Sequence, residues 1–194
     1  MNHPAQFKLS PERAALVIVD IQERLAAAMD PDVLAALEKS VTVLVELARR
    51  LELPVVASEQ YPRGLGKTRE AVQSALLALG ERVYRFEKTE FSICASEGFA
   101  KAWDALAGER TQWIVVGMEA HVCVYQSVRD LLARGGIAHV PRDAVISRAE
   151  ENRETGLDLM DRAGALITST ETVVFDALGR AGTDDFKAMS RLVK

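Results

Sequence analysis

Cysteine is scarce in this chain, with only Cys94 and Cys123 among 194 residues. A small secreted scaffold held by disulfides carries more of them at closer spacing, so that class is excluded and both thiols are expected to stay free in a reducing cytoplasm. Histidine is scarce too: His3, His121 and His139 are too scattered to give metal-ligand spacing. Basic residues do not dominate, since 24 Lys and Arg face 28 Asp and Glu for a formal net charge of −4. With no basic run carrying interleaved aromatics, a nucleic-acid partner is not expected. No stretch approaches the roughly 18 consecutive apolar residues of a membrane span. The opening MNHPAQFKLSPER has no basic segment followed by an apolar core, so it does not read as a signal peptide.

What the chain does have is an ordinary soluble composition, 48% hydrophobic and 27% charged. No internal repeat, low-complexity tract or linker rich in Gly, Ser or Pro divides it. A single domain over residues 1–194 is expected, with its core over about 14–178. A chain of this length buries roughly 70% of its unfolded surface.

Short apolar runs rich in β-branched residues alternate with longer stretches of helical period. Ala14–Val19 is wholly apolar and ends at Asp20, as a strand buried on both faces does. Asp30-Pro31 supplies an N-cap and a first-turn proline for a helix that Pro54 stops. Further strands are predicted at Val55–Ala57, Arg82–Phe86, Trp113–Val116, Ile137–Val140 and Ala165–Thr168. Helices are predicted around 68–79, from a Ser96 cap to Leu106, and over 121–133, 148–162 and 170–178. Residues 180–194 read as a polar tail with a short amphipathic end. Six strands alternating with helices imply a three-layer α/β/α fold around a mainly parallel sheet. Ligands of such sheets bind beyond the carboxyl ends of the strands, near the switch in strand order. Asp20, Lys88 and Cys123 all fall at or just past predicted strand ends.

Cys123 lies in Gly117-Met118-Glu119-Ala120-His121-Val122-Cys123-Val124, a strand running through a loop into the first turn of a helix. A thiol there feels the positive end of the helix dipole, which favours the reactive thiolate, and the same backbone N–H groups can hold an oxyanion. The alternative reading is a small buried hydrophobe. Asp20 is either a cap for the following loop or a partly desolvated carboxylate able to accept the thiol proton. On the second reading, Asp20→Asn is expected to raise the thiol pKa. Lys88 is either a solvated surface cation or, inside the crevice, a charge that favours the thiolate.

Taken together, Asp20-Ile21-Gln22, Lys88-Thr89-Glu90-Phe91-Ser92 and the Gly117–Val124 segment resemble, in this order, the motifs of the isochorismatase-like hydrolases. The resemblance runs from about Ala14 to Leu178, and Ser58–Gly66 is similar to the branch called isochorismatase domain-containing proteins. It implies a catalytic triad of Asp20, Lys88 and Cys123. It also implies a cis peptide at Met118–Glu119 and an oxyanion hole made by the backbone N–H groups of Glu119 and Cys123. Nicotinamidases of that family bind a metal through an Asp and two His after the second strand. This chain has Glu59 and Gln60 there without the histidines, so no metal and no cofactor are expected.

Gln22, Gln60, Tyr61, Phe91 and His121 are candidate substrate contacts, the alternative for each being ordinary loop or cap packing. His139 reads as a satisfied core or strand-end histidine and Cys94 as a bystander near the rim. The expected activity is hydrolysis of a small amide-like C–N bond in a small-molecule substrate. A vinyl-ether hydrolase using Asp20 as general acid is the alternative, as is a non-catalytic scaffold associating through Val122, Val124, Val128, Leu131 and Leu132. The resemblance also implies a homo-oligomer, a dimer or larger.

Overall fold

The computed structural model describes residues 4–194; His3 lies outside them. Strand β1 (Ala14–Val19) has every side chain buried, as an apolar run in the middle of a parallel sheet must. A single turn α1 (Glu23–Ala26) leads to the long helix α2 (Pro31–Arg50). Asp30 caps α2, its carboxylate accepting the Asp32 and Val33 N–H groups at 2.9 and 3.2 Å. Then come β2 (Val55–Gln60), α3 (Pro62–Leu65), α4 (Glu70–Leu77), β3 (Val83–Lys88) and α5 (Glu97–Leu106). Strand β4 (Gln112–Met118) runs through a single π-helical turn, Ala120–Val124, into α6 (Tyr125–Ala133). The chain continues with β5 (Ile137–Pro141), β6 (Val145–Ile146), α7 (Glu150–Ala163), β7 (Leu166–Thr168), α8 (Thr170–Leu178) and α9 (Asp184–Leu192).

Among the described residues the sheet has seven strands rather than the six expected, six of them in the order β3-β2-β1-β4-β5-β7 and the seventh, β6, beside β4, with every pair parallel. The additional strand, β6, contributes only two residues beside Gly117 and Met118, where β5 has already diverged from β4. Residues 180–194 are more than a polar tail, because α9 docks through a fully buried Met189. Alternate residues of β1 feed two cores: Leu16 and Ile18 join α2, α4, α8 and α9, while Val17 and Val19 join α5, α6 and α7. Three layers result. Among the described residues, no helix is long and apolar enough to cross a membrane.

From β1 the chain builds outward through β2 to β3, then returns to place β4 on the other side of β1. The connections after β1 and β4 therefore leave in opposite directions and open a crevice at their carboxyl ends.

Candidate active site

Asp20 follows β1 directly, with φ at +50°, a conformation that Asp tolerates better than most residues. The turn holds its carboxylate over the ends of the neighbouring strands. Gly117 makes the arrangement possible from the β4 side: at φ +128°, a Cβ there would stand 2.0 Å from the Val19 carbonyl oxygen. Only glycine lets the two backbones lie so close beneath the site.

The Asp20 carboxylate is fully buried and has both oxygens engaged. Oδ1 accepts from the Ser58 hydroxyl and Oδ2 from Lys88 Nζ, each at 2.7 Å. Lys88 ends β3, and its ammonium is encircled by Asp20 Oδ2, Gln60 Oε1 at 2.6 Å, and the Glu90 and Phe91 carbonyls at 3.1 Å each. An ammonium costs several kcal/mol to desolvate, so a buried one needs a full set of acceptors. Gln60, at the end of β2, completes the set. Its Oε1 serves Lys88 and lies 4.0 Å from Cys123 Sγ, while its Nε2 donates to the Thr89 carbonyl at 2.7 Å.

Cys123 is buried within the π turn, where its thiol faces Gln60 Oε1 and lies close enough to Asp20 to feel the charge of that carboxylate. The helix-terminus argument anticipates a lowered pKa, yet the thiol is pushed up to about 12. Burial is the main cause, and the Asp20 charge adds to it against the opposing pull of Lys88, with a smaller contribution from Glu119. Asp20 therefore raises the thiol pKa, opposite to the sign read from the sequence. The resting group is a protonated thiol beside the Asp20–Lys88 pair.

Two residues outside the motifs hold the turn. Ser127, fully buried in the first turn of α6, donates to the Cys123 carbonyl at 2.6 Å and accepts the Ile93 N–H at 3.0 Å. It ties the cysteine to the loop whose carbonyls hold Lys88. Gly156 of α7 faces the Ala120–His121 peptide so closely that a Cβ would come within 2.7 Å of it. Beside the turn, the Met118–Glu119 peptide is cis.

The remaining candidates divide. Gln22 is a brace: its amide donates to the Gln60 and Gly66 carbonyls at 3.0 and 2.7 Å, and its oxygen accepts the Gln60 N–H at 2.7 Å. Both amide hydrogens are thus committed to the chain rather than to a ligand. Tyr61 and Phe91 stand at the mouth, each 54% exposed. His121 is half-buried and pairs through Nδ1 with Ser147 Oγ at 3.0 Å. The Glu119 side chain turns to Arg148, with Nε 2.7 Å from Oε1, a pairing that no motif announced.

Cys94 lies buried behind Cys123, 3.9 Å from the Ser127 carbonyl, rather than at the rim. His139 is a core residue but not a satisfied one, since its Nε2 has no hydrogen-bond partner among the described residues. The suggested association face is also core: Val124, Val128 and Leu131 are fully buried, and Val122 and Leu132 pack against them. Among the described residues, no three His, Cys, Asp or Glu side chains cluster as metal ligands.

Residues 14–172, from β1 into α8, match the family described as Isochorismatase domain. The chain belongs to the isochorismatase family. Isochorismatase domain-containing protein 1 of Salmo salar is 36% identical over 188 residues, covering 96% of this chain and 62% of that protein. The Danio rerio protein of the same name is 34% identical with the same coverage, so the chain spans about three fifths of these two relatives. The secreted isochorismatase effector Isc1 of Phytophthora sojae is 33% identical over 189 residues, covering 96% of this chain and 87% of the relative. Among solved structures, the MAR1 ribonuclease of Caenorhabditis elegans superposes with a TM-score of 0.86 at 33% identity, covering 96% of this chain and 92% of the other. Within the isochorismatase-family match lie Asp20, Lys88 and Cys123.

Proposed function

We propose that the chain is a cysteine hydrolase of small amide-like C–N bonds, with Cys123 as nucleophile, Asp20 as proton carrier and Lys88 as the balancing cation. One observation carries the reading: a buried thiol set under the charge of a carboxylate that is itself ion-paired with a buried ammonium. Neither the core nor the surface needs that combination, and holding it together costs desolvation energy.

The reaction follows from the arrangement. The Cys123 sulfur attacks the substrate carbonyl carbon as its proton passes to Asp20, so no standing thiolate is needed. Charge develops on the carbonyl oxygen, and the Glu119 and Cys123 backbone N–H groups are the donors assigned to it. The proton on Asp20 then moves to the substrate nitrogen as the C–N bond breaks, leaving a thioester and a free amine. Water adds to the thioester with Asp20 taking its proton. That proton returns to sulfur as the acid product leaves. Gln60, Tyr61, Phe91 and His121 line the approach, and no cofactor enters any step.

The test is a panel of small amides and carbamates, with Cys123 followed by mass spectrometry. An acyl adduct on Cys123 and loss of turnover in a folded Cys123→Ala variant are expected; substantial turnover without the thiol overturns the scheme. Vinyl-ether cleavage surviving Cys123→Ala but lost in Asp20→Asn would assign the alternative chemistry. No turnover of any member of the panel, with no adduct, would favour the scaffold. Ribonuclease is the description of the C. elegans protein; here the acidic net charge and the enclosed thiol favour a small neutral or cationic substrate. Two free thiols suit a reducing cytoplasm, the secreted description belonging to the P. sojae relative.

A further inference from the structure

Strand β3 forms one edge of the sheet, and among the described residues its ladder runs to β2 alone. The last rung of that ladder is the Tyr61 N–H donating to the Lys88 carbonyl at 2.8 Å. The N–H and C=O of one strand residue point to the same side, and those of its neighbours to the other. Tyr84, Phe86 and Lys88 therefore bond inward to β2, while the backbone groups of Val83, Arg85 and Glu87 face outward. An open edge of this kind is a template for another strand; proline, a bulge or shortness blunts it, and so do edge charges unless a partner strand pairs them. β3 has six residues, Val-Tyr-Arg-Phe-Glu-Lys, with no proline and no glycine.

Its exposed charges carry a second signal. Arg85 and Glu87 are both solvent-exposed, opposite in sign, and two residues apart on one face; Arg85 spends one N–H on Gln73 Oε1 of α4 at 2.6 Å and keeps its other donors. Two copies meeting antiparallel about a two-fold axis through Phe86 would set each Arg85 directly opposite Glu87 of the partner subunit. Those positions are also the ones whose backbones exchange N–H···O bonds. A two-fold axis at Arg85 or at Glu87 instead sets a charge against its own copy. Only the register at Phe86 satisfies the outward backbone groups and matches both charges. It also brings the two half-buried Phe86 rings together across the axis.

We propose that the free edge of β3 is a homodimer interface, two copies of this chain joining their sheets antiparallel through Phe86 with Arg85 against Glu87 of the partner subunit. The inference does not depend on the catalytic reading. It places the interface on the strand that ends in Lys88.

The test is sedimentation equilibrium of the full chain and of three variants over a wide concentration range, with thermal melts to show that each is folded. Arg85→Glu and Glu87→Arg each set like charges opposite one another at two symmetric positions, and each is expected to raise the dimer Kd on the order of tenfold. The double variant Arg85→Glu/Glu87→Arg restores both pairs and is expected to return close to the native Kd. An assembly larger than a dimer that the single reversals split into smaller units supports the interface equally. A chain that stays monomeric throughout overturns it. So does an assembly indifferent to either reversal, or a double variant as weak as the two losses combined.

Discussion

Lys88 and Asp20 form an ion pair of 2.7 Å in which neither side chain is exposed to solvent. The Asp20 charge also acts on Cys123, and this arrangement reverses an intuition about the thiol. Burial first, and the Asp20 charge second, keep the thiol pKa near 12. Asp20→Asn removes the carboxylate while leaving the opposing cation, so the thiol pKa falls and iodoacetamide alkylation of Cys123, read by peptide mass spectrometry, becomes faster. Turnover moves the other way, dropping about 10²- to 10⁴-fold with the loss of the proton carrier. Slower alkylation in the variant would contradict the geometry.

The pair is coupled, and unfolding measurements can resolve the coupling. Lys88→Met leaves Asp20 buried without a cation and is expected to cost about 3–5 kcal/mol. Asp20→Asn/Lys88→Met removes both charges and should lose clearly less than the two single losses added together. Urea melts of the four proteins test this, and simple additivity would mean the two charges are not energetically linked. Lys88→Arg is not a rescue, because four oxygens at 2.6–3.1 Å enclose a compact ammonium rather than a planar fork.

These partners show where the sequence was readable and where it was not. Asp20 is legible because it interrupts a wholly apolar run. The Cys123 segment is legible because a strand, a glycine and a helix start succeed one another there. The ends of β2 and β3 are not: Ser58–Gln60 and Glu87–Lys88 are in the sheet, yet the expected strands stop at Ala57 and Phe86. Ser58, Gln60 and Lys88 are polar because they serve the site, while Glu59 holds Thr68 and Glu87 is exposed, so the residues the site needs sit in stretches that read as loop. Ser127 and Gly156 leave no periodic signal, since each acts through one contact with backbone distant in sequence. β6 is too short for any pattern, and Arg148 finds Glu119 only once β6 has brought its loop beside the π turn.

Ser127 offers a test of how the cysteine is aimed. Ser127→Ala strips partners from the Cys123 carbonyl and the Ile93 N–H, both in buried bonds. Stability is expected to fall by about 1–3 kcal/mol. On an identified substrate, kcat is expected to fall more than KM rises, because the sulfur loses its aim rather than its pocket. A full-strength variant with an unshifted urea midpoint would show that the serine holds nothing.

His139 makes stability depend on acidity. Burial brings its pKa down from 6.5 to about 4, and only the charge of Asp176 works the other way. The sign follows from proton counts: between those two values the unfolded chain binds a proton at this site and the folded chain does not. The contribution is therefore complete above pH 6.5, declines as the pH falls, and stops declining below about 4. Each pH unit between the two values is worth about 1.4 kcal/mol, so the full loss is about 3 kcal/mol. His139→Gln removes the titration, so its urea-derived stability should fall less steeply than that of the native chain over this window. Carboxylates titrate in both proteins, and the difference between the two curves isolates the histidine. Parallel curves would mean that His139 accepts its proton in the folded state as readily as in the unfolded one.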